Sequence, residues 1–554
     1  MQKLKKRYGK NIGGKHMKKN LGVNIKQQVD KNKGITIIAL IITIIVMLIL
    51  LAVTVRMTVS SNLFGYAKES GAKWTDEGKR EIVVIDDISA IIDTIINEEI
   101  DFLPTSPIYA RLYEDGTFIL SGTDYIDESK GDYKDYGDIS SNKYNWDNLP
   151  EWSSDPIINV LVYDEIQPVN TSSWFHRANG ENGVDTIQSM DLRNLDTSRV
   201  RRMERMFAGC NQLTTIDVSN FDTSNVISMW DMFLWCKGLT TLDLRNFNTS
   251  KVRNMQALFQ ECSNLTEIDV SNFDTRNVIN MHSVFCNCFK LEKIDVSNFD
   301  TRNVTTMKNL FSGCNNLTKI DVSNFDTSKV TDISGMFLKC ESILELDLSK
   351  FDTRNVTNTA QMFEECSGLT KIDLSNFETQ NVTNMALMFS GCNNLEKLDV
   401  SNFDTQNVTT MQDMFNDCNK LVSLDISNFN TSNVTNMKGL VWDCHMLTEL
   451  NVSNFDTRNV TNMDGIFGWC SSLSTLDLSN FNTQKVTTFY RMFEGNSSLI
   501  ELDLSNFTIN EGANTEDMFL DNNNLKNIYV KDSVEKTKIE GLVSNCEVII
   551  KSSE

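Results

Sequence analysis

The sequence predicts an α/β solenoid from three observations. The chain has a repeat of fixed length, each repeat has the periodicity of a strand and then of a helix, and the repeat accounts for the high content of Phe and Cys. Residues 187–524 repeat every 26 residues, thirteen times, without an insertion or deletion. A fixed period of about 20–50 residues is typical of solenoids, in which each unit buries its apolar side chains against its neighbours. The 554 residues therefore do not divide into several globular domains.

The first half of each unit predicts a short strand followed by a turn. Residues 291–316 form one unit and read LEKIDVSNFDTRNVTTMKNLFSGCNN. Ile294 and Val296 alternate with polar residues, which is the pattern of a strand with one buried face. Residues 298–301, with Asn, Asp and Thr side chains, are typical of a turn.

The second half of each unit predicts a short helix. Thr305 is the expected N-cap, and Met307, Leu310, Phe311 and Cys314 follow at the i, i+3, i+4 and i+7 spacing of one helix face. Each coil is therefore strand, turn, helix, turn. Since strands stack about 4.8 Å apart and helices about 8–10 Å apart, we expect the array to curve with its strands on the concave side.

The repeat accounts for the unusual numbers of Phe and Cys. Phe occupies the positions of Phe299 and Phe311 in 12 of 13 units each, which is 24 of the 30 Phe. Eleven of the 13 Cys share the position of Cys314, which Asn496 and Asn522 occupy in the last two units. Disulfides are usual outside the cell, but this position lies on the buried face, where unpaired Cys is common. We favour buried free thiols.

The first 55 residues predict a membrane anchor. Residues 1–34 hold 11 Lys and Arg and one acidic residue, and residues 35–55 are 21 consecutive residues without a charge. That length spans a bilayer core of about 30 Å, and the basic flank places the amino terminus in the cytoplasm. We therefore expect a single-pass cell-membrane protein with its repeats at the cell surface. The acidic remainder of the chain argues against a nucleic-acid partner.

The junction between these two segments resembles the processing site of type IV prepilins. It reads KGITIIAL from Lys33, a basic leader that ends in Gly before an apolar helix. The resemblance implies cleavage between Gly34 and Ile35 and possible pilus assembly partners. Ile35 and Ala39 depart from the family, which usually has Phe and Glu there, and the absence of Glu weakens the case for assembly. The alternative to a surface-anchored protein is therefore a minor pilin-like subunit that displays the repeats on a filament.

Five further regions complete the predicted organisation. We expect a helical stalk at 56–100, a small, partly β linker domain at 101–156 that contains a hairpin around Asp115-Gly116, and an amino-terminal solenoid cap at 157–186. Trp174 and Phe175, in this cap, are out of register with the repeat. The repeats at 187–524 precede a carboxyl-terminal cap at 525–554, with a closing helix near 535–542 and a strand near 548–550.

The repeat itself, LxxLDLSNFDTxNVTNMxxMFxxCxx, resembles that of BspA-like leucine-rich repeat surface proteins over about 60% of the chain. The resemblance implies a leucine-rich-repeat-like array in an extracellular, non-catalytic protein that acts in adhesion or recognition of a protein or glycan ligand. We expect no enzyme activity, cofactor or resident metal. His282 and Cys286 stand four residues apart on a predicted helix, but they lack the four ligands of a zinc site.

An acidic row is the candidate binding site. Asp occupies the outward position of the predicted strand in 12 of 13 units, with Asn451 as the exception. The row either forms a solvated face that keeps the array soluble or binds basic partners or Ca²⁺. Trp230, Trp235, Trp442 and Trp469 interrupt other positions, either as ligand contacts or as packing between coils. The aspartate row comprises Asp191, Asp217, Asp243, Asp269, Asp295, Asp321, Asp347, Asp373, Asp399, Asp425, Asp477 and Asp503.

Overall fold

The computed structural model describes residues 106–140, 149–177 and 186–551, which belong to one compact unit, Phe102–Glu554. The predicted leader (1–34), membrane span (35–55), stalk (56–100) and processing site at Gly34 and Ile35 lie outside the described residues. Within the described residues, no helix combines the length and the apolarity needed to cross a bilayer.

A five-stranded sheet begins the described part of the chain. The predicted hairpin is confirmed, since β1 and β2 pair antiparallel around Asp115 and Gly116, and Gly116 has a φ of +80°. The strand order is β3-β1-β2-β4-β5, and β4 pairs parallel with both β2 and β5. The strands are β1 Tyr109–Tyr113, β2 Thr117–Ser121, β3 Tyr133–Asp138, β4 Asn159–Val162 and β5 Ser189–Asp191.

This sheet joins the predicted linker domain to the repeats, because β5 belongs to the first repeat unit. The predicted boundary at 156–157 therefore falls within one continuous sheet. Phe175 is also in register, contrary to the prediction from the sequence. Its ring stacks on that of Phe207 at 5.7 Å, and its N–H donates to the carbonyl of Met206 at 2.9 Å. The segment is thus an additional coil that is six residues longer than the others.

The strand prediction is confirmed in several coils, where equivalent residues of neighbouring coils pair in parallel. Leu424 pairs with Leu450, for example, and Leu502 with Ile528. Because equivalent residues pair, each coil repeats the last without a register shift. These strands are β6 Glu345–Leu346, β7 Lys371–Ile372, β8 Ser423–Asp425, β9 Glu449–Asn451, β10 Glu501–Leu504 and β11 Asn527–Val530.

The helix prediction for the second half of each coil is wrong, because the amide groups of this segment bond mainly to the neighbouring coil. The N–H groups of Asn309 and Phe311 donate to the carbonyls of Ser334 and Met336, each at 2.9 Å. The N–H of Leu310, between them, closes a turn within the coil by donating to the carbonyl of Met307 at 3.1 Å. The segment is a succession of turns that is hydrogen-bonded from coil to coil.

Two left-handed residues in every coil make a helix impossible in this segment. The positions of Asn309 and Gly313 have φ values of +54° and +72°, and both positions have positive φ in all thirteen coils. A right-handed helix does not contain such residues. Met307, Leu310 and Phe311 are buried in consecutive turns with the same spacing that they would have on a helix. The periodicity therefore indicates which side chains are buried but not whether the segment is a helix or a series of turns. The predicted N-cap, Thr305, instead donates its N–H to the carbonyl of Ile279 at 2.9 Å.

Two columns of stacked Phe rings form the centre of the coils. Phe311 stacks on Phe285 at 5.6 Å between ring centroids, and the rings are nearly parallel. A second column includes Phe455 and Phe481, with centroids 6.3 Å apart. The core is therefore one continuous cluster that extends through all coils.

The predicted closing elements are both present. The helix α1, Ser533–Glu540, begins after Asp532, whose carboxylate accepts N–H groups from the first turn. It is the sole α-helix of the described residues. The strand β12, Glu547–Ile550, pairs parallel with β11 and is the last strand of the stack.

Candidate binding surfaces

The cysteine column is structural. All eleven of its thiols are buried. Each thiol donates to a backbone carbonyl of the preceding coil, as Cys314 Sγ does to Phe285 at 3.2 Å. Burial raises the pKa of Cys314 far above its usual range. These thiols are neither disulfides nor accessible nucleophiles.

Asparagine makes the same hydrogen bond where the cysteine column ends. Asn496 Nδ2 donates to the carbonyl of Phe467 at 2.9 Å, and Asn522 Nδ2 donates to that of Phe493 at 2.7 Å. The position therefore requires a buried donor directed at the preceding coil. This requirement explains why Asn is the replacement in both coils.

The aspartate row faces outward, as the alternation of the sequence predicts. Ten of its members are exposed, and the first and last, Asp191 and Asp503, are half-buried. Each carboxylate accepts the N–H of the residue two positions later, as Asp295 does from Ser297 at 3.0 Å. Asn451 accepts the same bond from Ser453. The row therefore closes turns within coils, and only Asp503, whose carboxylate also pairs with Lys551, makes a bond beyond its own coil.

The aspartates are held ionised. Hydrogen bonds from the side chain and backbone of Ser297 lower the pKa of Asp295, while the neighbouring aspartates oppose this effect more weakly. The side chain of Arg245 lowers the pKa of Asp243 to about 2. At neutral pH the row is thus a line of negative charges that stays charged in mildly acidic solution.

Three exposed aliphatic side chains lie beside the aspartate row and form the aliphatic row. Leu344, Val422 and Ile500 are 59%, 42% and 51% exposed and follow one another at intervals of three coils. In the intervening coils the same position is polar, as at Thr370 and Thr448. The aliphatic and aspartate rows together give this side, which we call the strand face, both apolar and acidic contact points.

A second outward surface, which we call the threonine ladder, was not predicted from the sequence. Eight consecutive coils expose a Thr whose N–H and hydroxyl both donate to the carbonyl of the equivalent residue in the preceding coil. For Thr409 these distances are 2.9 Å from N and 3.0 Å from Oγ1 to the carbonyl of Thr383. The ladder comprises Thr305, Thr331, Thr357, Thr383, Thr409, Thr435, Thr461 and Thr487.

An asparagine row runs beside the threonine ladder. Asn407 Nδ2 donates to the carbonyl of Gln380 at 2.7 Å, and Asn433 Nδ2 to that of Gln406 at 2.7 Å. The recurring Asn-Val-Thr triplet is therefore a pair of links between coils. The row comprises Asn303, Asn355, Asn381, Asn407, Asn433 and Asn459.

Three of the four tryptophans that interrupt the repeat, Trp230, Trp442 and Trp469, pack between coils. The Trp442 ring lies against Gly465 and Gly468 of the next coil and leaves no room for a Cβ atom on either. The Trp469 ring covers Gly495 in the same way, and Trp230 lies 5.9 Å from the guanidinium of Arg205. These contacts support packing over ligand binding for Trp442 and Trp469.

No metal site is built around His282 and Cys286. Burial lowers the pKa of His282 and raises that of Cys286. Across 106–140, 149–177 and 186–551, no group of three or more His, Cys, Asp or Glu side chains is placed to hold a metal ion.

The comparisons with known proteins concern this repeat. A family model described as "Mycoplasma protein of unknown function, DUF285" matches residues 170–292, 263–371, 339–449, 366–475 and 444–550. These matches cover more than half of the chain. The chain belongs to the DUF285 family. The coils described above are thus DUF285 repeats, and the matched residues include the whole aspartate row and threonine ladder.

One solved structure similar to this DUF285 protein is "The Crystal structure of Pneumococcal vaccine antigen PcpA". The two sequences are 13% identical, the alignment covers 73% of this chain and 92% of that chain, and the TM-score is 0.29. No curated protein matches the sequence.

Proposed function

We propose that this DUF285 protein is a non-catalytic cell-surface recognition protein, anchored through residues 35–55, whose strand face binds basic protein partners in adhesion. The observation that carries this proposal is the aspartate row. It repeats in twelve coils, it stays ionised, and in every coil but that of Asp503 its hydrogen bonds remain within the coil. An exposed negative row that does not hold the coils together is suited to an external ligand of opposite charge.

The aliphatic row adds an apolar component to this surface. Exposed apolar side chains among charges are typical of protein–protein contact sites, in which buried apolar anchors contribute most of the affinity. Leu344, Val422 and Ile500 each lie three residues before a member of the aspartate row, as Ile500 does before Asp503. A partner segment that alternates basic and apolar residues matches this arrangement.

Two features of the sequence support a location at the cell surface. Residues 1–34 are strongly basic, and the 21 residues after them carry no charge, as in a span whose carboxyl-terminal side is exported. The repeat also resembles that of BspA-like surface proteins. Protease treatment of intact cells tests this location, because external repeats are degraded and cytoplasmic ones survive.

The strand face can be tested with the full chain in detergent and a synthetic peptide of alternating Lys and Leu. Asp373, Asp399 and Asp425 are changed together to Asn, which Asn451 shows to be compatible with the turn. We expect binding to weaken strongly and to lose most of its dependence on salt, since fewer charges attract the peptide. Equal binding by the variant and the unchanged chain would exclude the aspartate row as the site.

The aliphatic row has its own matched variant. Leu344, Val422 and Ile500 are changed to Thr, the residue at this position in several other coils. We expect weaker binding of the Lys-Leu peptide with an unchanged salt dependence, because only apolar contacts are removed. A peptide that alternates Glu and Leu is the control and should not bind either form.

A second candidate function follows from the junction at Gly34 and Ile35. Its resemblance to prepilin sites favours a minor pilin-like subunit that carries the same repeats on a filament. Sequencing the amino terminus of the mature protein separates the two candidates. A methylated Ile35 terminus supports the filament subunit, whereas an intact Met1 excludes processing.

A further inference from the structure

The middle of the threonine ladder is an uncharged surface on an acidic protein. The chain carries a net charge of -22, yet in the three coils of residues 369–446 the ladder and its outer neighbours are uncharged. The ladder there consists of Thr383, Thr409 and Thr435. The neighbouring positions are Gln380, Asn381, Gln406, Asn407, Ser432 and Asn433. A charged ligand gains little from these three coils, whereas Arg or Lys stands at one of the same two positions in each of the other five.

The hydrogen-bond donors of the ladder are already used. Both the N–H and the hydroxyl hydrogen of Thr409 go to Thr383, and those of Thr435 go to Thr409. A hydroxyl that donates its one hydrogen still has lone pairs that accept. The ladder therefore offers acceptors to solvent, and its ligand must bring donors without bringing negative charge.

The ladder also fixes the spacing of these acceptors. Equivalent residues of paired parallel strands lie about 4.8 Å apart, so eight threonines form a row about 34 Å long. The backbone bonds beneath the row vary little, at 2.9 Å for each successive pair of threonines from Thr331 to Thr487. Such a row is organised before a ligand binds, which lowers the ordering cost of many weak contacts.

We propose that the threonine ladder binds a neutral polysaccharide chain that lies along the stack. The hydroxyls of the polysaccharide supply the donors, and its C–H groups pack against the threonine methyls. A polymer is required because each hydrogen bond exchanged with water contributes little alone. This site is separate from the strand face and does not depend on its proposed basic partner.

The test uses the full chain in detergent with two insoluble neutral polysaccharides, cellulose and chitin, and with alginate as an anionic comparator. Thr357, Thr383, Thr409 and Thr435 are changed together to Ile. Ile227 and Ile279 occupy this position in two other coils and keep the ladder bond, at 2.9 and 2.8 Å. The variant therefore removes the hydroxyls without removing the backbone ladder.

We expect retention of the unchanged chain on at least one neutral polysaccharide at both low and high salt. The fourfold Ile variant should bind at least about tenfold more weakly, and a tenfold loss of affinity corresponds to about 1.4 kcal/mol. The variant with Asn at Asp373, Asp399 and Asp425 should bind the polysaccharide normally. This control separates the site from the strand face, because the same variant should lose the Lys-Leu peptide.

Three outcomes overturn the inference: no retention on either neutral polysaccharide, retention on alginate alone, or equal retention of the Ile variant. Thermal unfolding of each variant shows whether it is folded. If the fourfold variant does not fold, Thr409→Arg replaces it, because Arg253 occupies the same position and its carbonyl accepts the N–H of Ile279. Undiminished binding by a folded Thr409→Arg protein would equally contradict the proposal.

Discussion

The aspartate row and the threonine ladder lie on the outside of the same coils, but their hydrogen bonds go to different places. Asp399 accepts from Ser401, two residues away in its own coil. Thr409 donates twice to Thr383, the equivalent residue of the preceding coil. One surface row is therefore a set of separate turns, and the other is part of what joins the coils.

This difference indicates how an array of similar units can keep the bonds that hold the coils together and still vary the residues that contact a partner. Residues whose bonds remain within a coil can change without loosening the stack, as Asn451 illustrates. Residues whose bonds cross between coils are constrained by both neighbours. The following substitutions test this distinction, beginning with the one expected to have the largest effect.

A buried threonine that links coils should matter most. Thr275 Oγ1 accepts the N–H of Asp300 at 2.7 Å and donates to its carbonyl at 3.1 Å, away from solvent. Thr275→Val keeps the shape but leaves both backbone groups without a partner. We expect a loss of about 2–4 kcal/mol in the free energy of unfolding, measured in urea. A loss no larger than that of an exposed Thr→Val change would contradict this interpretation.

Substitutions in the cysteine column should show whether the position needs a hydrogen-bond donor of any kind or a thiol in particular. Cys470 donates to the carbonyl of Val441 at 3.1 Å, and the next coil has Asn496 at the same position. We expect Cys470→Ala to lower stability by about 1–2 kcal/mol, since it removes both the donor and packed volume. Cys470→Asn should lose less, because it restores the bond. Urea unfolding of both variants compares them, and a larger loss for Asn would disprove the equivalence.

An exposed threonine of the ladder should have a smaller effect. Thr409→Val removes the hydroxyl bond but keeps the backbone bond to Thr383, and water can reach the freed carbonyl. We expect a loss of about 0.5–1 kcal/mol in urea unfolding. An unchanged midpoint would mean that the hydroxyl bonds of the ladder do not strengthen the stack.

The aspartate row should have the smallest effect at neutral pH. Hydrogen bonds from the following Ser or Arg lower the pKa of these carboxylates in the folded protein. Their stabilisation is therefore present above the unfolded pKa and is lost as pH falls through the lower, folded pKa. Changing Asp373, Asp399 and Asp425 to Asn removes this contribution at every pH, so it should lower the pH 7 midpoint only slightly and flatten its decline in acid. If the midpoint of the variant falls as steeply in acid as that of the unchanged chain, other carboxylates are responsible for the loss of stability in acid.

The sequence alone was sufficient for the repeat, the inward residues and the outward aspartates, because period and alternation report burial directly. It misidentified the segment around Met307 and Phe311, because turns and helices can share a spacing of three to four residues. A further signal was present. Fifteen of the 26 left-handed positions hold Gly, Asp or Asn, the residues that tolerate positive φ best. A column rich in these residues within an apparent helix favours turns.

The threonine ladder was harder to predict from the sequence. Thr305 follows Asn303 in a pattern that also fits a helix cap, so a local explanation was available. The actual partners lie 26 residues away, in the preceding coil. Only the knowledge that equivalent residues pair in register reveals that a conserved position within the repeat is a contact between repeats.

The bonds between coils have a mechanical consequence. They run along the direction in which the coils stack, so a force applied between the two ends of the array loads successive interfaces in series. We expect the end coils to detach one at a time, each releasing 26 residues or about 90 Å of extended chain. If the array joins a cell to a bound surface, as proposed above, such stepwise lengthening would dissipate a sudden pull before the attachment itself broke.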